Sequence, residues 1–427
     1  MTGPRAILIR GARLLDPVRN LDAPGDLFLA GGLIAAPPLR IPPDAEIIEA
    51  RGLAVAPGFI DLHVHLREPG GEEAETIETG CRAAARGGFT TVVAMPNTRP
   101  PLDTPELVSA QIRRAEEAGL CRVRPAACIT SGRTGGALAP LAELAAAGAC
   151  AFTDDGTTVA DEALMRRALE QAAALGRPIL DHAQDPAREK QGVMHEGAWS
   201  ARWGLPGIPS SAEIEVVERD IRLARETGGR VHIQHVSAAG SAALIRRARA
   251  AGLPVSGEAT PHHLALTDAD VRPEDARWKM NPPLRSEADR AAVLGAVEEG
   301  TITVLATDHA PHTAAAKARG FRDAPFGVIG LEAAVGVTYT RLVAGGRMSA
   351  LDWVRRWTSG PARVLGLPEP SLAPGLPADV ALLDLDTEWE IRPESFASKS
   401  RNTPFEGWRV RGRAVRTFLG GRTTARA

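Results

Sequence analysis

The sequence predicts an α/β protein: a (β/α)8 TIM barrel with a small β-sandwich domain formed by both chain ends. Three observations carry this expectation. Between residues 58 and 366, eight short apolar segments alternate with segments of helical periodicity, the pattern of a parallel sheet wrapped by helices. Both ends, residues 1–57 and 367–427, read instead as short strands broken by Gly, Pro and Asp. No Gly-rich dinucleotide fingerprint follows the first barrel strand, which argues against an open doubly wound sheet.

In the N-terminal part the candidate strands are Ala6–Arg10, Asp26–Ala30, Gly32–Ala36 and Ile47–Ala50, with turns at Pro24-Gly25 and Gly31-Gly32. The barrel strands are read as Phe59–His65, Thr90–Met95, Val123–Ala127, Ala149–Phe152, Pro178–His182, Val231–His235, Val255–Ala259 and Ile302–Thr307. Helical patterns lie between most of them, including Glu73–Arg86, Pro105–Ala118, Asp161–Leu175, Ser211–Thr227 and Ala239–Ala250, and another covers Asp352–Leu365. The C-terminal strands are read as Asp379–Asp384, Glu388–Ile391, Trp408–Arg411 and Ala414–Leu419.

Composition narrows the function. Of the 427 residues, 44% are hydrophobic, ample for a core, and a barrel of this type absorbs about 250 residues as one domain. A net charge of −2 gives no reason to expect nucleic acid or an anionic membrane as partner. No apolar run reaches the roughly 18 residues of a membrane span, and Arg5, Arg10, Arg13 and Arg19 interrupt any signal-peptide core. Cys81, Cys121, Cys128 and Cys150 form no CxxC pair, so free, mostly buried thiols in a cytoplasmic protein are expected.

Barrel enzymes carry their active sites at the C-terminal ends of the strands. Here those ends read Asp61-Leu62-His63-Val64-His65-Leu66-Arg67, Met95-Pro96-Asn97, Phe152-Thr153-Asp154-Asp155, Asp181-His182, Gln234-His235 and Thr307-Asp308-His309. Residues two apart on a strand point the same way, so His63 and His65 offer two imidazoles to one cation. A His-x-His pair alone is weak evidence. Joined to His182, His235 and Asp308 at later strand ends, with the Asp155 carboxylate between them, it describes an open catalytic site of nitrogen and oxygen donors that suits Zn2+. Other histidines take a plainer reading: His195 as a surface or loop residue, His232 facing the helices because its strand parity is opposite to that of His235, and His309 as structural. For His262 and His263, supporting the site and plain packing compete evenly.

The run Pro57-Gly58-Phe59-Ile60-Asp61-Leu62-His63-Val64-His65 resembles the first metal motif of the amidohydrolase superfamily. Within it, the chain resembles bacterial class I dihydroorotases. The motifs are His63-Val64-His65-Leu66-Arg67-Glu68-Pro69-Gly70 (the family more often has Asp where Glu68 stands), Ala94-Met95-Pro96-Asn97-Thr98, Met280-Asn281-Pro282-Pro283-Leu284-Arg285, Ala306-Thr307-Asp308-His309-Ala310-Pro311-His312 and Pro325-Phe326-Gly327 through Glu332. The resemblance spans essentially the whole chain.

It implies reversible hydrolysis of dihydroorotate to N-carbamoyl-aspartate in pyrimidine synthesis. It also implies two zinc ions held by His63, His65, His182, His235 and Asp308 and bridged by Asp155, with Asp308 as proton carrier. Relatives that open hydantoin, dihydropyrimidine or allantoin rings usually bridge their metals with a carboxylated lysine at strand four. Here that segment, Phe152-Thr153-Asp154-Asp155-Gly156, has none, so a carboxylate does the bridging and Asp154 should point elsewhere. Arg67 offers a fork for a substrate carboxylate. Its plainer reading is a salt bridge with Glu68 or Glu72. The resemblance sets Asn97, His312 and His65 beside the same substrate, and Asn281 with the backbone at Phe326 and Gly327 around the ring amides. The polar, Ala-rich segment Thr313–Ala324 is expected to form a mobile lid. A homodimer, association with aspartate transcarbamoylase, and a non-catalytic partner of that enzyme are further family-based alternatives, the last disfavoured by the full ligand set.

Overall fold

The computed structural model describes residues 5–426. The chain begins with β1 (Ile7–Asp16), β2 (Leu21–Ala30), β3 (Leu33–Ala35), β4 (Glu46–Glu49) and β5 (Ala54–Pro57). β1 pairs antiparallel with β2, and in parallel with β4 along its first half and β5 along its second. Gly11, at φ +70°, sits where the register shifts between Ile9 and Ala12. This glycine bulge lets one strand serve two neighbours. The sequence reading ended this strand at Arg10 and put a turn at Pro24-Gly25; instead β1 continues through the bulge, and Pro24 pairs with Arg13 inside β2. β3 covers only Phe28–Ala30, so Pro24 lies on an edge, where a proline is tolerated.

The barrel follows as β6 (Phe59–Val64), β7 (Phe89–Ala94), β8 (Arg122–Ala127), β9 (Ala151–Phe152) and β10 (Ile179–Asp181). A small parallel pair intervenes, β11 (Met194–His195) and β12 (Gly207–Ile208). Then come β13 (Val231–Ile233), β14 (Val255–Ala259) and β15 (Val304–Leu305). The eight barrel strands pair in chain order, all in parallel. A bridge between Val64 and His309 closes the ring, with the His65 amide donating to the His309 carbonyl at 2.8 Å. The Asp61 carboxylate ties the same seam, accepting from Thr307 N (3.0 Å) and Oγ1 (2.6 Å).

Every residue of β6 and β7 is buried, as both faces of a barrel sheet require. The surrounding helices start where the sequence offers caps: Thr76 before Ile77–Arg86, Thr104 before Pro105–Ala118, Asp161 before Glu162–Ala174 and Ser286 before Glu287–Glu298. The helix read over 352–365 is two, Ala350–Trp357 and Ser359–Leu365, broken at Thr358. Gly360 packs against the barrel there: a Cβ on it would lie 2.0 Å from the Thr303 carbonyl oxygen.

The chain ends in β16 (Val380–Glu390), β17 (Arg409–Leu419) and β18 (Arg422–Arg426). β5 lies between β1 and β16, so both chain ends share one sheet. This β-sandwich portion has its own core, including Ile9, Leu29, Val55, Val380 and Phe418. The expected fold class is the observed one.

Candidate metal centre and active site

The C-terminal mouth of the barrel gathers four imidazoles and two carboxylates, all buried. His63 Nε2 lies 3.2 Å from Asp155 Oδ1 and 3.4 Å from Asp308 Oδ1. His65 Nε2 lies 3.1 Å from Asp308 Oδ1 and 3.6 Å from Asp155 Oδ2. On the other side, His182 Nδ1 is 2.8 Å from His235 Nε2 and 3.8 Å from Asp155 Oδ1. Asp155 therefore belongs to two groups that could each hold an ion, one with His63 and His65, the other with His182 and His235.

A cation fits this donor set. His63 Nε2 and Asp155 Oδ1 are buried without hydrogen-bond partners although they face each other. Burial lowers the pKa of His182, and burial with the neighbouring His182 and His63 rings holds His235 well below its usual value, so both rings are neutral and free to ligate. Burial also disfavours charge on His63, but Asp155 and Asp308 outweigh it and raise its pKa. Burial likewise opposes ionisation of Asp155, yet the surrounding histidines bring its pKa well below normal. The pocket demands positive charge beside Asp155, which a proton on His63 or a metal ion satisfies.

Three site residues leave the strand pleat for the left-handed region: Arg67 (φ +60°), His235 (φ +33°) and Asp308 (φ +48°). Such backbone costs on the order of 1–3 kcal/mol each and persists where the surroundings enforce it. The kink at His235 also defeats the parity argument for His232. β13 ends at Ile233, and His232 does not face the helices: its Nδ1 meets Ser256 Oγ at 2.8 Å and its Nε2 meets Glu258 Oε2 at 3.0 Å.

Glu258 was not singled out from the sequence. Its other oxygen, Oε1, accepts from His63 Nδ1 at 2.8 Å and from the His235 amide at 3.2 Å. Burial alone would raise its pKa, but the His232 and His63 donors hold it at about 2. An acidic residue inside a short barrel strand was the available signal.

His195 is not a surface or loop residue. It lies buried in β11, with Nδ1 3.4 Å from Arg285 Nη1, and burial together with that guanidinium pushes its pKa down to about 4. His309 is structural as expected, its Nε2 3.3 Å from Glu75 Oε2 and its Nδ1 accepting from the Gly330 amide. His263 bridges Thr260 Oγ1 and the Pro282 carbonyl, whereas His262 is buried with Nε2 unpartnered. Asp154 turns away from the centre to accept from the Ile129 and Thr130 amides.

On the solvent side, Arg67 Nε donates to the Pro311 carbonyl at 3.1 Å, and Nη2 stands 3.3 Å from His312 Nε2. Neither plain salt bridge forms: Glu68 pairs with Arg114 at 3.2 Å, and Glu72 accepts from the Gly70 amide. Burial lowers the Arg67 pKa to about 10. His312 Nε2 donates to the Phe326 carbonyl at 2.7 Å, and burial beside Arg67 drops its pKa to about 3, so it is neutral. Asn97 Oδ1 is 2.9 Å from His65 Nδ1, and its Nδ2 donates to Asp155 Oδ2 at 3.2 Å. Asn281 Nδ2 lies 3.3 Å from His182 Nε2, leaving Oδ1 buried and unpartnered.

Gly327 sits at φ +129°, and a Cβ there would lie 2.7 Å from that of Ala310. Its amide is already donated to the Lys279 carbonyl at 3.0 Å. The segment Thr313–Ala324 has more anchors than its composition suggested. It forms two short helical turns pinned by buried Phe321 and by Lys317, whose ammonium donates to the Lys279 (3.1 Å) and Pro325 (2.8 Å) carbonyls.

Among solved structures, L-hydantoinase (dihydropyrimidinase) from Arthrobacter aurescens matches with a TM-score of 0.87 at 25% identity, covering 98% of this chain and 96% of that one. Dihydropyrimidinase from Brevibacillus agri NCHU1002 shares the fold, with a TM-score of 0.83 at 23% identity, covering 99% and 95%. Barrel, terminal β-sandwich and His/Asp cluster together define an amidohydrolase-superfamily enzyme. A family model described as Dihydro-orotase-like matches residues 52–241. The dihydroorotases of Pelotomaculum thermopropionicum and Anaeromyxobacter dehalogenans strain 2CP-1 are each 49% identical, over 417 and 420 residues, covering 97% of both chains in each pairing. The chain belongs to the dihydroorotase family and is a hydrolase acting on a cyclic amide.

Proposed function

We propose that this enzyme interconverts (S)-dihydroorotate and N-carbamoyl-L-aspartate, a step of pyrimidine biosynthesis in the cytoplasm. The observation that supports this substrate most directly is Arg67, a half-buried guanidinium in no ion pair among the described residues, at the mouth that holds the His/Asp cluster. A substrate carboxylate supplies the missing partner, and burial strengthens the attraction. Uncharged hydantoins offer Arg67 no carboxylate, and the segment after β9 contains no bridging lysine.

His63, His65, His182, His235 and Asp308 would hold two Zn2+ ions with Asp155 common to both. Zinc bound there would supply Lewis acidity and a water acidic enough to ionise near neutral pH. The chain's own groups do the rest. Asp308 accepts a proton from the attacking water and returns it to the ring nitrogen as the C–N bond breaks, serving as base and then acid. Arg67 orients the substrate carboxylate, with neutral His312 and Asn97 beside it. The free Oδ1 of Asn281 accepts from a ring N–H, and the turn at Phe326 and Gly327 walls the ring. Zinc analysis paired with a dihydroorotate hydrolysis assay tests this reading: Asp308→Ala should lose nearly all turnover, and undiminished turnover would refute the role of Asp308.

A further inference from the structure

We propose that Glu258 is a positioning residue for two of the metal-site histidines, setting the ring of His63 and the main chain of His235. This rests on the reading of those histidines as metal ligands. Glu258 lies on β14, wholly buried, and neither oxygen is spare. Oε1 accepts from His63 Nδ1 at 2.8 Å and from the His235 amide at 3.2 Å, while Oε2 accepts from His232 Nε2 at 3.0 Å.

The proton positions follow from these contacts. A carboxylate so placed takes the Nδ1–H of His63, which leaves the lone pair on Nε2, the unpartnered atom aimed at Asp155. Gln234 Nε2 also lies 3.3 Å from His63 Nδ1, but a neutral amide at that distance does not displace a carboxylate at 2.8 Å. His232 gives its Nε2–H to Glu258, and its Nδ1 then accepts the hydroxyl proton of Ser256 at 2.8 Å. The chain Ser256–His232–Glu258–His63 thus has one consistent set of donors and acceptors. At His235, the amide bond to Glu258 helps hold the backbone at φ +33°.

A carboxylate that merely fills the core would give the barrel stability and nothing more. The test separates the two roles through zinc affinity, measured by chelator competition on wild type, Glu258→Ala and Glu258→Gln, alongside the melting temperature of each metal-free protein. Glu258→Ala should bind zinc about 10–100-fold more weakly. Glu258→Gln should recover to within about tenfold of wild type, because its oxygen can still accept from His63 while its amide donates to a His232 ring protonated on Nδ1. Affinity within about threefold of wild type for Glu258→Ala, or equal weakness in both variants, would overturn the proposal. A wild-type protein that binds no zinc would overturn the metal-site reading instead. Should Glu258→Ala fail to fold, His232→Ala takes its place: a roughly 3–10-fold loss supports the chain, and affinity unchanged from wild type in His232→Ala overturns it.

Discussion

Arg67 and His312 meet at the barrel mouth with Nη2 3.3 Å from Nε2, and no carboxylate joins them. Because burial keeps His312 neutral, the positive charge the pair presents to the site is that of Arg67 alone, and no carboxylate pairs with it directly. Arg67→Met should therefore raise KM for dihydroorotate by roughly 100-fold, the loss of two charge-assisted hydrogen bonds, while leaving zinc content unchanged. Arg67→Lys should fall between, since an ammonium cannot reproduce the planar fork. Steady-state kinetics with metal analysis checks this.

Removal of the metal should abolish activity reversibly. With Asp155 shared between both ligand groups, Asp155→Ala should lose zinc from both. Chelator dialysis followed by zinc titration should give two equivalents recovered in wild type and less than one in the variant. Recovery of full stoichiometry in Asp155→Ala would contradict the bridging role.

Acid should destabilise the fold through buried histidines outside the metal centre. His195 and His263 have folded-state pKa values near 4, lowered chiefly by burial, against an unfolded value of about 6.5. The unfolded chain therefore binds more protons than the native one between those values, so stability is unaffected above about pH 6.5 and falls on acidification toward pH 4. His195→Gln should flatten this slope, sparing on the order of 2–3 kcal/mol at pH 4. Urea unfolding at pH 7, 5.5 and 4 measures it.

Lys317 ties Thr313–Ala324 to the turn that carries Phe326 through the Lys279 and Pro325 carbonyls. Lys317→Met leaves both carbonyls without this donor. It should speed proteolysis within the segment and raise KM several-fold, with kcat and zinc content little changed. Limited proteolysis timed against wild type shows whether the anchor matters.

Much of this was legible because barrel chemistry sits at strand ends, and strand ends show in the sequence as apolar runs closing on polar residues. His63, His65, Asp155, His182, His235 and Asp308 are all found that way, and the structure brings them together. Failures came where local geometry departs from the regular pleat. The kink at His235 breaks the two-residue period, so His232 was assigned to the wrong face. Glu258 lies inside a strand and not at its polar C-terminal end, and its partner His63 comes from a strand distant in sequence. Gly11 and Pro24 look like turn residues in isolation, yet one forms a bulge and the other lies on an edge. The anchoring of Lys317 depends on carbonyls of Lys279 and Pro325, which no local pattern reveals.

Substrate choice tests the role of Arg67 most directly. Zinc-loaded enzyme should be offered dihydroorotate, dihydrouracil, hydantoin and allantoin at equal concentration, and kcat/KM compared. Dihydroorotate should exceed each of the others by at least about 100-fold, and Arg67→Met should remove most of that preference. Turnover of hydantoin or dihydrouracil without turnover of dihydroorotate would contradict the account.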